Sequence, residues 1–432
     1  MVTTAIVIHP VLPTDFEKRS CGRSPEVQLD EAVGLAAAIN LDVLKAHVAK
    51  VYKITAGYFI GEGARLIIKT MIEELSPAVV IVNTTLSPVQ QRNLEREWNI
   101  KVIDRTGLIL EIFGARAQTR EGKMQVELAA LSYQRSRLVK SWTHLERQRG
   151  ATGSTGGPGE TQLEIDRRII DDKIVLLKTQ LEQVRKNRDL QRKSRERVPF
   201  PVVALVGYTN AGKSTLFNTL TGAEVFAENL LFATLDPTMR RMKLPGGRDI
   251  ILSDTVGFIS DLPTHLVAAF RATLEQVQYA DVILHVRDIS SPDTEAQRQD
   301  VISILNDLDI QYETDLRIVE VLNKIDQISP EEEPIFSHPE FRGRHMAVSA
   351  LTGEGLMQLK TIIEQTLGQG QIIHRIKLSP EDGKALGWLH RHGSVLVRVD
   401  DPADGSIWLD VSLDEAEYQK FIAQFDIYSD LK

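Results

Sequence analysis

VVALVGYTNAGKST, Val202 to Thr215, decides how this chain is read. Five apolar residues, VVALV (202–206), run into a glycine-rich stretch and then into LFNTL, which has helical spacing. The pattern is a buried strand, a tight loop and a helix start. At Gly207 and Gly212 there is no Cβ to block close approach. The backbone N–H groups of Tyr208, Thr209, Asn210, Ala211, Lys213, Ser214 and Thr215 can then close around phosphate oxygens at a helix N-terminus. Lys213 can reach β- and γ-phosphates, and the Ser214 hydroxyl can sit on Mg2+.

Three further stretches follow in a fixed order. In ILSDTVGF (251–258), Asp254 can hold Mg2+ through its water shell, and Thr255 and Val256 lead to Gly257, whose N–H can turn toward a γ-phosphate. In VEVLNKID (319–326), Asp326 can accept both the ring N–H and the exocyclic amine of guanine, a donor pair that adenine lacks. A site built that way rejects the wrong base, because the carboxylate is left unpaired beneath it. Asn323, Lys324 and Ile325 buttress that loop and flank the base. VSALTGEGL (348–356) comes last, and in its Val348–Ser349–Ala350 run the Ala350 N–H is placed to contact the guanine carbonyl. Between the first two stretches lies LLFATLDPT (230–238), with Phe232, Ala233, Thr234, Leu235 and Asp236 near the nucleotide. Thr234 is the expected last Mg2+ ligand, with Thr238 the weaker candidate. The metal ligands expected are therefore Ser214 and Thr234, and the catalytic groups Lys213, Thr234, Gly257 and Asn210. This order is that of a Ras-like P-loop GTPase domain over residues 198–367, binding GTP and GDP with Mg2+. An unrelated ATPase fails mainly on Asp326.

The rest of the chain is read against that domain. Its 432 residues suggest two to four domains. A single cysteine, Cys21, excludes an intramolecular disulfide. No apolar run approaches the length of a membrane span, and the N-terminus lacks the basic region of a signal peptide. A net charge of −8 argues against indiscriminate nucleic-acid binding, and DNA is not an expected partner. The expected fold class is multidomain α/β. Residues 1–120 read as a small parallel α/β domain, with strands at Ala5 to Leu12 and Ala78 to Leu86 and helices at Pro25 to Asn40, Gly63 to Leu75 and Pro88 to Trp98. Residues 121–197 read as a long antiparallel helical hairpin. Its stripes are Met124, Leu128, Leu131, Leu138, Trp142 and Leu145, with polar Arg135 in one slot, and Ile170, Ile174, Leu177, Leu181 and Val184. GATGSTGGPG (150–159) cannot be helix and forms the tip; Thr161 and Glu164 have capping-box spacing after it. Residues 370–432 read as a small C-terminal α/β domain.

GYTNAGKSTLFN, LFATLDPT, DTVGFI and NKID, together with GPGETQLEIDRR (157–168), VIDRTGLIL, SWTHLERQ and LSPVQQRNLERE, resemble the HflX family of bacterial translation-associated GTPases. The resemblance covers residues 57–367. It implies a GTP-hydrolysing switch that binds the 50S large ribosomal subunit and its 23S rRNA and promotes dissociation of stalled or idle ribosomes, with the hairpin tip reaching toward the peptidyl-transferase region. A GTP-dependent ribosome-binding scaffold or assembly factor with negligible turnover is the alternative. A GTPase fused to an RNA-modifying enzyme has no catalytic constellation to support it. Arg135, Arg137, Lys140, Arg147 and Arg149 before the tip, and Arg185, Lys186, Arg188, Arg192, Lys193, Arg195 and Arg197 at the far end of the second helix, can neutralise RNA phosphates. Phe258 stands where many switch GTPases carry a water-positioning Gln. In related GTPases with that feature, an Asn at the place of Asn210 helps bind K+, which adds K+ to the expected cofactors. A cytoplasmic monomer is expected, with peripheral attachment to a membrane left open and no insertion into it.

Overall fold

The computed structural model describes residues 3–12, 23–149, 162–195, 200–223, 231–232, 238–260, 277–328, 345–368, 371–401 and 404–425. The chain begins with β1 (Thr3–Val11), α1 (Pro25–Ala37), β2 (Leu41–Lys50), α2 (Glu62–Leu75), β3 (Val79–Val82), α3 (Pro88–Trp98), β4 (Lys101–Asp104) and α4 (Arg105–Arg116). The four strands form one parallel sheet in the order β2-β1-β3-β4. Alternation along the central strands sends Ala5, Val7, Val79 and Ile81 to the face covered by α1 and α4. Ile6, Ile8, Val80 and Val82 go to the face covered by α2 and α3. Both faces are buried, which is why these strands read as unbroken apolar runs. The sequence reading had two strands here, where the structure has four. β2 lies at the sheet edge and carries exposed Lys45 and Ala46, and β4 has four residues, so neither shows a core-strand pattern.

The chain then enters α5 (Arg120–Arg149) and α6 (Gln162–Arg195), which pack on one another. At 1.5 Å per residue these helices are about 45 and 50 Å long. Met124, Ile174 and Leu177 are buried along the contact. Arg135, the polar residue in the apolar stripe, forms an ion pair with Asp171 across it at 2.5 Å. The tip at 150–159 and Thr161 lie outside the described residues.

The nucleotide-motif domain follows with β5 (Val202–Gly207), α7 (Lys213–Thr221), β6 (Thr238–Lys243), β7 (Asp249–Asp254), β8 (Val282–Asp288), α8 (Thr294–Asp307), β9 (Ile318–Asn323), β10 (His345–Val348) and α9 (Leu356–Gly368). Its sheet runs β10-β9-β8-β5-β7-β6, parallel except for the antiparallel pair β6/β7. Val203 and Leu205 pack under α7 and α9, whereas Ala204 and Val206 face α8. That second face is continuous with the α1/α4 face of the first domain, so one apolar cluster joins the two sheets. β11 (Gln371–Leu378), α10 (Gly383–His392), β12 (Ser394–Asp400), β13 (Ile407–Asp414) and α11 (Glu415–Phe425) close the chain as an antiparallel sheet, β11-β13-β12, whose core residues include Trp388, Leu409 and Phe421. Among the described residues, no helix is long and apolar enough to cross a membrane.

Candidate functional site

The carboxyl ends of β5, β7 and β9 converge, and open parallel sheets bind their ligands at such an edge. β5 stops at Gly207, where a Cβ would lie 2.1 Å from the Val286 carbonyl oxygen of β8. The loop then turns through Asn210, whose φ is 60°, and Gly212, whose φ is +89°. A Cβ on Gly212 would also stand 2.2 Å from Asn323 Nδ2. Glycine is required there for space as well as for backbone angle. α7 starts at Lys213, so its first-turn N–H groups, which have no partner within the helix, lie at the end of the loop. Asn210 is exposed above the loop, while Tyr208, Thr209, Ala211 and Lys213 are buried and Ser214 and Thr215 partly so.

Lys213 donates to the carbonyls of Gly207 at 3.0 Å and Tyr208 at 2.7 Å. Burial pushes its ammonium down to about 8, against the opposing pull of Asp254. A phosphate at this point would replace lost solvation. Ser214 donates its hydroxyl to Asp254 Oδ2 at 2.7 Å, and Asp254 is fully buried at the end of β7. One hydroxyl and one carboxylate are hard oxygen donors set side by side. They fit Mg2+, which keeps several waters and shares phosphate oxygens instead of filling a protein cage. Thr255 donates to Leu205 O at 2.6 Å and fixes the start of the Thr255–Val256–Gly257 run. Phe258 forms a parallel bridge with Tyr208: Thr209 N–H donates to Phe258 O at 2.7 Å, and Phe258 N–H to Gly207 O at 3.1 Å. Phe258 is buried.

The loops expected to read the base meet the glycine-rich loop through Asn323. Asn323 donates to Ala211 O at 2.8 Å and accepts the Ala350 N–H at 3.0 Å. The Ala350 N–H expected to meet the guanine carbonyl is thus engaged by Asn323, and a base must share it. Lys324, at φ 69°, pairs with Asp288 at 2.6 Å. Ile325 and Asp326 form a single 3-10 turn, and Asp326 accepts the Ser349 hydroxyl at 2.6 Å. Asp326 is exposed, so its penalty against the wrong base arises only once a base covers it. Val348 and Ser349 are fully buried below it. Phe232 is buried against Phe113 of α4, edge to face at 4.7 Å. Ala233, Thr234, Leu235 and Asp236 lie outside the described residues.

The structure brings a further set of residues to the loop. Tyr208 Oη donates to Glu31 at 2.6 Å and accepts from Arg23 at 2.9 Å and from the Ser260 N–H at 2.6 Å. Arg105 reaches Glu31, Ser260 O and Ser260 Oγ. The sequence reading missed Glu31, Arg105 and Ser260. The one local signal was a bulky, hydroxyl-bearing Tyr208 in a loop otherwise made of small or short side chains.

Residues 26–114 match the family described as GTP-binding GTPase N-terminal, and 116–195 the GTP-binding GTPase middle region. Residues 202–324 match 50S ribosome-binding GTPase, and 335–425 the HflX C-terminal domain. GTPase HflX of Magnetococcus marinus is 51% identical over 368 residues, 85% of this chain and 84% of that one. GTPase HflX of Escherichia coli K12 is 43% identical over 356 residues, 80% and 83% of the two chains. A solved structure of SsGBP in complex with GDP superposes with a TM-score of 0.50 at 26% identity, covering 85% of this chain and 99% of that one.

Proposed function

This chain belongs to the HflX family of GTPases, and on that premise we propose that it binds the 50S subunit and couples GTP binding to the separation of stalled or idle ribosomes into subunits. The observation that carries this reading is the continuity of the hairpin with the phosphate loop. α6 ends at Arg195 and β5, which delivers Gly207, begins at Val202. β5 then carries the chain to Gly207, so a lever some 50 Å long is joined to the phosphate loop through a single strand, and a shift at its base is amplified along its length. Exposed Lys186 on α6 supports an RNA-facing role. Arg135 and Arg137 do not contribute freely, since Asp171 holds the first and Asp104 and Gln91 hold the second. The side chains of Lys140, Arg147, Arg149, Arg185, Arg188, Arg192, Lys193, Arg195 and Arg197 lie outside the described residues.

In this reading Lys213 and the Gly257 N–H hold the γ-phosphoryl oxygens, and Asp326 with Ser349 holds the base. Ser214 and Asp254, with Thr234, hold Mg2+, which when bound offsets charge on the β- and γ-phosphates. Phe258 cannot orient the attacking water, so intrinsic turnover is slow and the ribosome supplies what is missing. Sedimentation of 70S ribosomes with purified protein and a non-hydrolysable GTP analogue tests the proposal: 70S should convert to 30S and 50S peaks. An unchanged 70S peak would overturn ribosome splitting. Multiple-turnover phosphate release with ribosomes separates this reading from a scaffold with negligible turnover.

A further inference from the structure

The carboxyl ends of β1 and β3 define the crevice of the first domain, because the strand order reverses between them. Small ligands usually occupy such a crevice. Here its rim carries Asn83 and Arg105, and Ser260 of the nucleotide domain meets Arg105 there. Arg105 is anchored by Asn83 Oδ1 at 2.6 Å and by Glu31 at 2.5 Å. Its Nη2 also donates to Ser260 O at 3.0 Å and Ser260 Oγ at 2.9 Å. Ser260 Oγ donates to Glu31 at 2.9 Å, and the Ser260 N–H donates to Tyr208 Oη at 2.6 Å. The backbone N–H, carbonyl and hydroxyl of Ser260 are therefore all held at once. The side chains of Arg105, Glu31 and Arg23 are 6%, 13% and 8% exposed, so these charge-assisted bonds form out of water, where they are strongest.

Ser260 lies three residues beyond Gly257, and the Tyr208–Phe258 bridge fixes the piece between them. In that position Gly257 stands against the loop: a Cβ there would lie 2.9 Å from Thr209 Cα and 3.0 Å from Lys213 Nζ. A methyl group would collide with the Thr209 backbone, and Gly257 is packed too closely against Thr209 and the Lys213 ammonium to leave room for a phosphoryl group between them. GTP must move the Gly257–Ser260 piece off the loop to place its terminal phosphate between Lys213 and the Gly257 N–H. GDP has no such requirement.

We infer that Arg105 and Glu31 of the first domain latch Ser260 onto Tyr208 and so set the preference of the site between GDP and GTP. The inference rests on the guanine-nucleotide reading of the cradle. The latch favours the bridged position and hence GDP. By linkage, GTP weakens the hold of the first domain on Ser260 by the same factor that the latch weakens GTP. Arg105 is here a specificity-determining residue that acts through Ser260 without touching nucleotide. A part in packing alone would alter both nucleotides alike.

The test measures affinities of the full-length protein for GDP and for a non-hydrolysable GTP analogue. Arg105→Ala should raise the analogue-to-GDP affinity ratio about tenfold, the scale of one charged hydrogen bond. Arg105→Lys should restore part of the wild-type ratio. Ser260→Ala, which removes one hydroxyl and perturbs packing little, should shift the ratio the same way by a smaller factor. Ratios within twofold of wild type in both alanine variants would overturn the latch, even if Arg105→Ala binds both nucleotides poorly. A wild-type protein that binds neither guanine nucleotide would instead overturn the reading of the cradle beneath it.

Discussion

Asn323 Nδ2 lies 2.8 Å from the Ala211 carbonyl, so the loop proposed to read the base is fastened to the loop proposed to cradle the phosphates. The same side chain holds the Ala350 N–H. Three loops thus behave as one piece, and Asn323→Ala leaves a buried carbonyl and N–H unpaired. The loss should be about 1–3 kcal/mol for GDP and GTP alike. Equilibrium titration with both nucleotides checks this, and a change confined to one of them would contradict it.

Asp326 should choose the base. Asp326→Asn should weaken GTP by a few kcal/mol, through loss of charged hydrogen bonds, and should favour xanthosine nucleotides, whose ring carbonyl replaces the amine. Competition between GTP and XTP reads the switch directly. Unchanged GTP affinity in this variant would remove Asp326 from the site.

Lys213 should give nucleotide binding a pH dependence. Burial holds its ammonium at about 8 in the free protein. Bound phosphates favour the charged form, so binding takes up a proton wherever the free lysine has lost one. Affinity should therefore fall as pH rises through 8, by about threefold between pH 7.5 and 8.5. Calorimetry at pH 8.5 in two buffers of different ionisation enthalpy should register the uptake. A flat affinity with no proton exchange would count against it.

Asn210 is exposed above the loop, where a side-chain carbonyl can meet a monovalent cation beside the phosphates. GTP turnover should be faster in K+ than in Na+, and Asn210→Ala should erase the difference. Equal initial rates of phosphate release in both salts would dismiss the cation and leave the GTPase untouched.

The hairpin tip should act at a distance from the chemistry. Deleting residues 152–156 should leave GTP affinity and basal hydrolysis nearly intact, abolish subunit separation and blunt ribosome-stimulated hydrolysis. If the tip merely joins two helices, the shortening is almost harmless, because loop length changes closure entropy only slowly. Ribosome splitting at the wild-type rate by the deleted protein would decide for the connector.

What could be read from sequence follows the range of the forces involved. Gly207, Gly212 and Lys213 answer to local constraints, a turn and a helix start, and such constraints leave a mark within a dozen residues. The stripes of α5 and α6 are legible for the same reason, since one face repeats every turn. β2, β4, β11 and α10 went unread because their burial depends on partners and their own patterns are short or mixed. The Arg105–Ser260 and Ser260–Glu31 contacts span 155 and 229 positions along the chain. No window of sequence contains both ends of either contact, and isolated Arg and Glu residues on helices look like solvated surface.

The first sheet is complete at Asp104, yet the residues that fill its crevice, Tyr208 and Ser260, arrive much later in translation. With synthesis at about 5–20 residues per second, the gap from Arg105 to Ser260 lasts roughly 8–30 s. For most of that interval, until residue 232 is made, the α1/α4 face, including Phe113, has no Phe232 to cover it. The nascent first domain must therefore survive with an apolar face and a ring of charges open to water. Its other face, built on Ile6, Ile8, Leu94 and Trp98, is self-contained from the start. During that interval, the face later shared with the nucleotide domain is the surface a chaperone or a neighbouring nascent chain would meet.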